Sequence, residues 1–327
     1  MSERLRPDDY AFDLAETLDA IVEIRTQVPD DAFTAEVLGT ERAGYGVLIR
    51  REGLILTVGY VVAEAETVWI TLSDGRAVPG HVLAYEPETG FGLVQALARL
   101  DVPALKMGSA KDLREGDKLI VAGAGGVDNA IAATLSGRGE FAGYWEYVID
   151  DALFTTPAHA SWGGCAVIGS SGELLGIGSL LIQKTTADDS GMAVIGGEDE
   201  EDDDDQNMCI SIDLLTPILD DLLSYGRLQR PSRPWMGLYA TEIAGNVVVV
   251  GIASKGPAAR AELETGDIIL TVNGRKVVSL PEFFRGVWAL GTAPIDVPLQ
   301  IFRDGQVYEI TLHATDRQKY LKSPVAH

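Results

Sequence analysis

The sequence predicts a mainly β protein that ends in a separate, smaller domain. Short apolar segments recur along the first two thirds of the chain, and turn signals such as the Ser-Asp-Gly of residues 73–75 separate them. Short strands at such spacing are typical of β-barrels and β-sandwiches. The last segment, Trp235–His313, instead mixes predicted strands and helices around a strong hairpin signal at Asn273-Gly274. The two patterns indicate two kinds of domain in one chain.

The first element along the chain is a predicted helix. Asp13–Val28 places apolar residues at helical spacing, and Pro29 follows as a stop. The strands predicted next are Gly44–Ile49, Leu54–Val58, Thr67–Leu72, Val78–Tyr85 and Phe91–Ala96. A second group of predicted strands comprises Lys118–Ala122, Ala130–Ser136, Tyr147–Ile149, Ala166–Ile168 and Leu174–Leu180.

A long polar stretch, Lys184–Asn207, follows the second group of strands. It contains eight consecutive acidic residues, Glu198–Asp205, whose mutual repulsion favours a solvated or disordered loop. Ile212–Tyr225 is then a predicted helix with a broad apolar face, and Gly226–Pro234 is a predicted linker.

The C-terminal segment alternates strands and helices. The elements predicted there are strands at Asn246–Ala253 and Asp267–Val272, helices at Pro257–Leu263 and Pro281–Leu290, and a hairpin of Val297–Phe302 with Val307–Leu312. This pattern fits a domain of modest size.

Composition narrows the function classes. The 327 residues are enough for two or three domains. A net charge of −23 argues against nucleic acid or an anionic membrane as the main partner, because both require a basic surface. Cys165 and Cys209 are too few for a disulfide framework or a zinc site, and no cofactor or metal site is indicated.

The start of the sequence bears on location. Met1–Tyr10 lacks the apolar core of a leader peptide, and apolar runs such as Asn246–Ile252 are too short to span a bilayer. We therefore expect a cytoplasmic protein without membrane insertion, or a periplasmic one if the native start was truncated.

The most informative stretch is Phe154–Ile168, which reads FTTPAHASWGGCAVI. A polar loop of small residues runs into Gly163-Gly164, and paired glycines at the mouth of a strand allow close backbone approach. The nucleophile loop of trypsin-type serine proteases reads Gly-Asn-Ser-Gly-Gly, with the nucleophile directly before the glycines. Trp162 stands at that position here.

Several segments in order resemble the HtrA/Deg family of trypsin-like serine proteases that carry a PDZ domain. They are Gly44–Val62 (GYGVLIRREGLILTVGYVV), Asp74–Ala96, Gly163–Ile177, Ser211–Gly237, Pro257–Ala261 and Gly266–Leu270. The resemblance covers nearly the whole chain. It implies a chymotrypsin-like double β-barrel followed by a C-terminal PDZ domain. The corresponding domains are an N-terminal helical segment at 1–40, a protease-like domain at 41–230 with an acidic loop at 184–207, and a PDZ domain at 233–318.

The family's three catalytic positions hold other residues in this chain. Tyr60 stands where the family pattern has histidine, Gly90 where it has aspartate, and Trp162 where it has serine. A triad needs a nucleophile, a base that takes its proton and an acid that orients the base. We therefore predict a pseudoprotease, with Trp162 packed near Tyr60 and filling the cleft.

Other residues could in principle restore the chemistry. Ser161 and His159 precede the lost serine, but residues two apart on an extended segment point the same way without facing each other. His81 is expected at the surface of a strand. Cys165 follows the glycines, where a free cysteine is usually a small buried apolar residue.

The PDZ-like segment predicts peptide binding. Such domains add a peptide as a strand to a sheet edge, and loop amides hold its terminal carboxylate. The predicted carboxylate loop and receiving strand contain Met236, Gly237, Leu238 and Tyr239. The predicted walls of the apolar pocket are Phe283, Phe284, Val287 and Leu290, although the same side chains could simply be core.

The resulting prediction is an HtrA-like pseudoprotease that acts as a recognition, scaffold or chaperone-like protein. Its partner would be a protein or peptide with an exposed hydrophobic C-terminus. Assembly into a homo-oligomer is an additional possibility that the sequence leaves open. Two alternatives remain: an active serine endopeptidase of protein quality control, and a regulatory subunit of an active relative.

Overall fold

The computed structural model describes residues 5–183, 192–194 and 205–322. The chain forms two compact units. The first contains the residues up to Gly139, Asp151–Gln229 and the end of the chain from Leu321, and the second contains Glu140–Asp150 and Arg230–Tyr320. The second unit therefore includes an eleven-residue excursion that the sequence analysis placed in the protease-like domain. Among the described residues, no helix combines the length and apolar character needed to cross a membrane.

The first barrel lies at the start of the first unit. Its strands are β1 (Ile21–Gln27), β2 (Glu41–Arg50), β3 (Leu54–Val58), β4 (Thr67–Thr71), β5 (Ala77–Glu86) and β6 (Phe91–Ala96), closed in the order β1-β2-β3-β6-β5-β4. Its helices are α1 (Leu14–Asp19), α2 (Ala35–Leu38) and α3 (Gly59–Val62). Apolar side chains of all six strands fill the interior.

The predicted N-terminal helix is wrong in its second half. Only Leu14–Asp19 is helical, with the Asp13 carboxylate accepting from the Glu16 N–H at 3.0 Å. Ile21–Gln27 is strand β1, paired with β2 on one side and β4 on the other. The β-branched residues of this stretch favour a strand, and pairing on both sides closes the barrel. Residues 1–40 are therefore not a helical segment, because they supply a barrel strand.

The second barrel uses strands β7 to β13. They are β7 (Lys118–Ala122), β8 (Ala130–Gly143), β9 (Tyr147–Thr156), β10 (Ala166–Ile168), β11 (Leu174–Gln183), β12 (Met192–Val194) and β13 (Gln206–Ser211). Their order is β10-β7-β8-β9-β13-β11-β12, and a further pairing of β10 with β11 joins the two ends of the six-stranded part. The predicted double β-barrel is thereby confirmed.

The predicted acidic loop is partly structured. Met192–Val194 pairs with β11, Asp205 is buried, and β13 begins at Gln206. The acidic residues before Asp205, including Glu198, lie outside the described residues. The predicted helix after this loop is also divided, into a 3-10 turn at Ile212–Leu214 and helix α4 (Leu219–Tyr225). Pro217 lies between the two pieces and lacks the N–H that a continuous helix would use.

The second unit contains a PDZ-like sheet. Its strands are β14 (Leu238–Ile243), β15 (Asn246–Ile252), β16 (Ile268–Val272), β17 (Arg275–Lys276), β18 (Ile295–Arg303) and β19 (Gln306–Ala314), in the order β14-β15-β16-β18-β19 with β17 on β16. Its helices are α5 (Pro257–Arg260) and α6 (Leu280–Trp288). The predicted Asn273-Gly274 turn is confirmed, with φ angles of 47° and 73°. The predicted helix Pro257–Leu263 ends early, before Glu262 at φ 58°.

Candidate functional site

Tyr60, predicted to stand at the position of the family's histidine, lies in the short helix α3. Its hydroxyl donates to the backbone carbonyl of Ser179 at 2.8 Å. Burial raises the pKa of Tyr60 well above its ordinary value, and a side-chain hydrogen bond with Trp162 lowers it only in part. The phenol therefore stays neutral at physiological pH and is tied to the backbone of strand β11.

Trp162 lies beside Tyr60, as the sequence predicts, but it does not fill the cleft. The indole is half-buried. A pocket of about 330 Å³ remains at this position. The residues that line the pocket come from β1, β2, α3 and the loop before β10: Glu23, Ala43, Gly44, Tyr45, Tyr60, Ala160, Ser161, Trp162 and Gly163. The side chains of the cleft thus differ from those of a catalytic triad, and part of the cleft volume stays open beside Trp162.

The glycine pair after Trp162 keeps a demanding backbone geometry. Gly164 has φ 88°, and a Cβ atom on it would lie 2.0 Å from the carbonyl oxygen of Tyr45. Its N–H donates to the carbonyl of Gly178 at 2.9 Å, and the carbonyl of Gly163 accepts from the Tyr45 N–H at 2.7 Å. The loop is therefore clamped between strands β2 and β11, and only glycine fits at position 164.

Gly90, predicted to stand at the position of the family's aspartate, lies in the turn before β6. It has φ 84°, a backbone region in which side chains are strained. Its carbonyl accepts from the Gly59 N–H at 2.6 Å, next to Tyr60. The turn thus supports α3 through the backbone and offers no side chain to the cleft.

His159 is buried and fully engaged by backbone groups. Its Nδ1 accepts from the Ser161 N–H at 3.0 Å, and its Nε2 lies 3.1 Å from the carbonyl oxygen of Asn129. Because one partner can only donate and the other can only accept, the neutral imidazole carries its proton on Nε2. His159 therefore orients the backbone of Ser161 and does not act on its hydroxyl.

The remaining candidate groups are structural. Cys165 is buried, and burial raises the pKa of its thiol well above the ordinary value. Burial likewise raises the pKa of Cys209 to about 12. His81 is half-buried on β5, and His313 is exposed and paired with Asp296. A thiol that holds its proton is a poor nucleophile, as the sequence analysis expects for Cys165.

The amides of the predicted carboxylate loop in the second unit bind a carboxylate of the same chain. The N–H groups of Met236, Gly237 and Leu238 converge on the side chain of Glu146, at 2.9, 2.7 and 3.3 Å from its oxygens. Gly237 has φ 73°. Glu146 was not predicted, because it lies ninety positions away in the β8–β9 turn and no local motif marks it.

The residues predicted to form the peptide-binding site differ in how deeply they are buried. Phe283, Phe284 and Val287 on α6 are fully buried in the core of the second unit, and Leu290 is half-buried. Tyr239 on β14 is also half-buried, with its ring centroid 5.9 Å from that of Tyr144. The core interpretation thus fits the first three, while the ring of Tyr239 packs beside that of Tyr144.

Comparison with known proteins gives the class of this fold. Residues 44–177 match the family model of a trypsin-like peptidase domain, and residues 234–313 match that of a PDZ domain. The chain therefore has a trypsin-like domain followed by a PDZ domain.

Individual relatives agree with this class. A probable periplasmic serine endoprotease DegP-like of Pseudomonas fluorescens is 25% identical over 82% of this chain and 55% of its own length. One from Chlamydia pneumoniae is 24% identical over 84% of this chain and 55% of its own length. The chain spans about half the length of the curated relatives it matches.

Solved structures share the fold. The HtrA-type protease AlgW with decapeptide aligns with TM-score 0.51 and 20% identity, covering 95% of this chain and 98% of that one. The serine endoprotease from Yersinia pestis aligns with TM-score 0.51 and 20% identity, covering 92% and 96%.

The predicted cytoplasmic location is wrong by this comparison. The relatives are named as periplasmic proteases. The prediction was based on the composition of residues 1–10 and on short apolar runs, and the names of the relatives overturn it.

Proposed function

We propose that the chain is an HtrA-like pseudoprotease of the periplasm that recognises peptides through its PDZ domain and works as a scaffold or chaperone-like protein. The observation that carries this proposal is the Tyr60 hydroxyl, bonded to the Ser179 carbonyl at 2.8 Å where a catalytic imidazole would stand. With Trp162 and Gly90 at the other two predicted positions, none of the three supplies the nucleophile, the base or the orienting acid of a triad.

The chemistry of these groups supports the proposal. The raised pKa of Tyr60 keeps the phenol protonated, so it cannot accept a proton from a nucleophile. The indole of Trp162 has no nucleophilic oxygen or sulfur. His159, the nearest imidazole along the loop, has both ring nitrogens bonded to backbone groups. Together these groups favour a binding role over hydrolysis.

Peptide recognition is supported by the loop at the start of β14. Three N–H groups, of Met236, Gly237 and Leu238, point at one carboxylate. Amides that converge in this way suit the terminal carboxylate of a peptide, which then extends along the sheet edge. A hydrophobic C-terminus is the ligand class we propose.

Absence of an activated nucleophile predicts no reaction with fluorophosphonate probes. We expect neither labelling of the full chain nor cleavage of unfolded casein, since a serine without a base is unreactive. Mass spectrometry of the treated protein measures the labelling. Ser161→Ala is the matched control, and labelling of the parent chain that this variant abolishes would show Ser161 to be a nucleophile.

A second candidate function is serine endopeptidase activity, which the names of the relatives favour. The same assay decides between the two, because an endopeptidase must degrade casein and label at one serine. Casein cleavage that survives Ser161→Ala would point to a different nucleophile in the cleft.

The carboxylate loop predicts a preference for free C-termini. We expect amidation of a hydrophobic peptide to weaken binding to the full chain by about ten-fold, because charge-assisted hydrogen bonds are lost. Fluorescence anisotropy measures both affinities. Gly237→Ala should abolish the preference, since the new Cβ would lie about 3.0 Å from the Trp235 ring and the backbone has φ 73°.

Gly274→Ala is the matched control for that experiment. Its φ is also 73°, and no described atom lies within 4 Å of the new Cβ. Equal affinity for acid and amide peptides in the parent chain would contradict the carboxylate loop.

A further inference from the structure

The turn between β8 and β9 presents a carboxylate to the PDZ loop. Within the second unit, residues 140–150 form the end of this hairpin. Glu146 is the last of the three residues between the strands, and its two carboxylate oxygens accept four hydrogen bonds from three consecutive N–H groups of residues 236–238. No other side chain is needed to satisfy these amides, because Glu146 meets all three.

The backbone of Glu146 is specialised for this position. Its φ is 63°, in the left-handed region that glycine and asparagine usually occupy. A three-residue hairpin loop commonly has such a residue in its third position. A glutamate there is strained relative to glycine, and its side chain is the one that reaches the amides. Glu146 is therefore unfavourable for the backbone of the turn, but its side chain is well placed to accept hydrogen bonds from the loop amides.

The hairpin also imitates the backbone contact of a bound peptide. The N–H of Ala240, on the edge strand β14, donates to the carbonyl of Tyr144 at 2.9 Å. Tyr144 precedes Glu146 by two residues, and its ring lies against Tyr239 with centroids 5.9 Å apart. A peptide whose carboxylate sat in the loop would use the same N–H of β14 a short distance from its end.

Apolar and charged contacts hold the rest of the hairpin. Val148 is 7% exposed and belongs to the same buried cluster as Phe283 and Phe284 of α6. Arg285, on the exposed side of that helix, pairs with Glu140 and Asp150 at the two ends of the excursion. Carboxylate, backbone and apolar contacts therefore all come from one continuous segment.

We propose that residues 140–150 are an internal ligand of the PDZ domain, with the Glu146 carboxylate in the place of a peptide C-terminus. An external peptide then binds only when this segment has left the loop. The inference rests on the proposed peptide-binding function and adds its regulation. It also predicts which external peptides bind. Such a peptide must supply both a carboxylate and enough strand contact with β14 to displace residues 140–150.

The expected size of the effect follows from populations. If the internal ligand occupies the loop most of the time, the apparent affinity for an external peptide falls by the fraction of open molecules. We therefore expect Glu146→Ala to bind a hydrophobic acid peptide about ten-fold or more tightly than the parent chain. Glu146→Gln keeps the shape but loses the charge, and it should lie between the two.

The matched control is Glu262→Gln. Glu262 is an exposed glutamate of the same unit, and its φ of 58° is nearly that of Glu146. This variant should bind peptide as the parent chain does. Unchanged affinity in both Glu146 variants would overturn the proposal.

Hydrogen exchange supplies a readout that does not need an external peptide. In the full chain, the amides of Met236, Gly237 and Leu238 should exchange slowly, and Glu146→Ala should accelerate them about ten-fold or more. Equal protection in the two proteins would overturn the internal ligand. Faster exchange in the variant, combined with no peptide binding by any form, would support the internal ligand and reject the proposed peptide-binding function.

The parent chain alone provides a further test, which holds even if the variants fold poorly. A saturating concentration of the acid peptide should accelerate amide exchange in residues 140–150, because the peptide displaces them from the groove. The amidated peptide should have a weaker effect. Peptide binding that leaves this segment as protected as before would overturn the proposal.

Discussion

Gly164→Ala is expected to destabilise the first unit by about 3 kcal/mol or more. The new methyl group would lie 2.0 Å from the backbone oxygen of Tyr45 and 2.9 Å from the hydroxyl of Thr57. Neither the loop nor strand β2 can yield without breaking the Tyr45–Gly163 hydrogen bond of 2.7 Å. Urea or thermal unfolding of the full chain measures the loss.

Gly75→Ala separates backbone strain from the steric clash. Gly75 has φ 83°, close to that of Gly164, but no described atom lies within 4 Å of its Cβ position. This variant should lose only about 1 kcal/mol. Similar losses in the two variants would show that the close approach to Tyr45 is unimportant. A larger stability loss in Gly164→Ala than in Gly75→Ala would show that packing against Tyr45 is enough to require glycine at position 164. The glycine would then be needed even in a loop without a nucleophile.

The carboxyl group of Glu146 is expected to make stability depend on pH. Burial raises its pKa from 4.5 to about 7, while the amides of residues 236–238 and the charge of Arg317 lower it in part. A carboxyl group with a raised pKa in the folded state stabilises that state when it is protonated. Its contribution is therefore complete below about pH 4.5 and is lost as the pH rises through about 7.

Comparison with Glu146→Gln isolates this contribution. Between about pH 5 and about pH 8 the parent chain should lose up to about 3 kcal/mol of unfolding free energy relative to the variant. Urea unfolding at several pH values measures it. Groups other than Glu146 are present in both proteins, so their contributions cancel in the difference. Parallel curves would show that Glu146 keeps an ordinary pKa. A difference that declines as the pH rises would show that the carboxyl group of Glu146 has a raised pKa in the folded state.

Local sequence signals were enough to predict most elements, and the assignment of residues to the triad positions is also a prediction from such signals. The glycine and asparagine turns, and the residues directly beside Gly163-Gly164, depend on neighbours in sequence, so a single stretch reveals them. Tyr60, Gly90 and Trp162 could be assigned because each follows a recognisable segment of the family. Their contacts could not be predicted, because the pocket of about 330 Å³ beside Trp162 forms where two strands, helix α3 and a loop meet.

Long-range contacts decided the remaining features. Ile21–Gln27 has apolar residues at spacings that fit a helix, and pairing with β2 and β4 makes it a strand. Sequence alone was enough to predict a trypsin-like fold followed by a PDZ domain, and it is the basis for the proposed loss of the triad. Only the tertiary structure placed Glu146 on the amides of residues 236–238, ninety positions away. The physical reason is that a hydrogen bond between distant segments depends on the fold that brings them together, and neither segment encodes its partner locally.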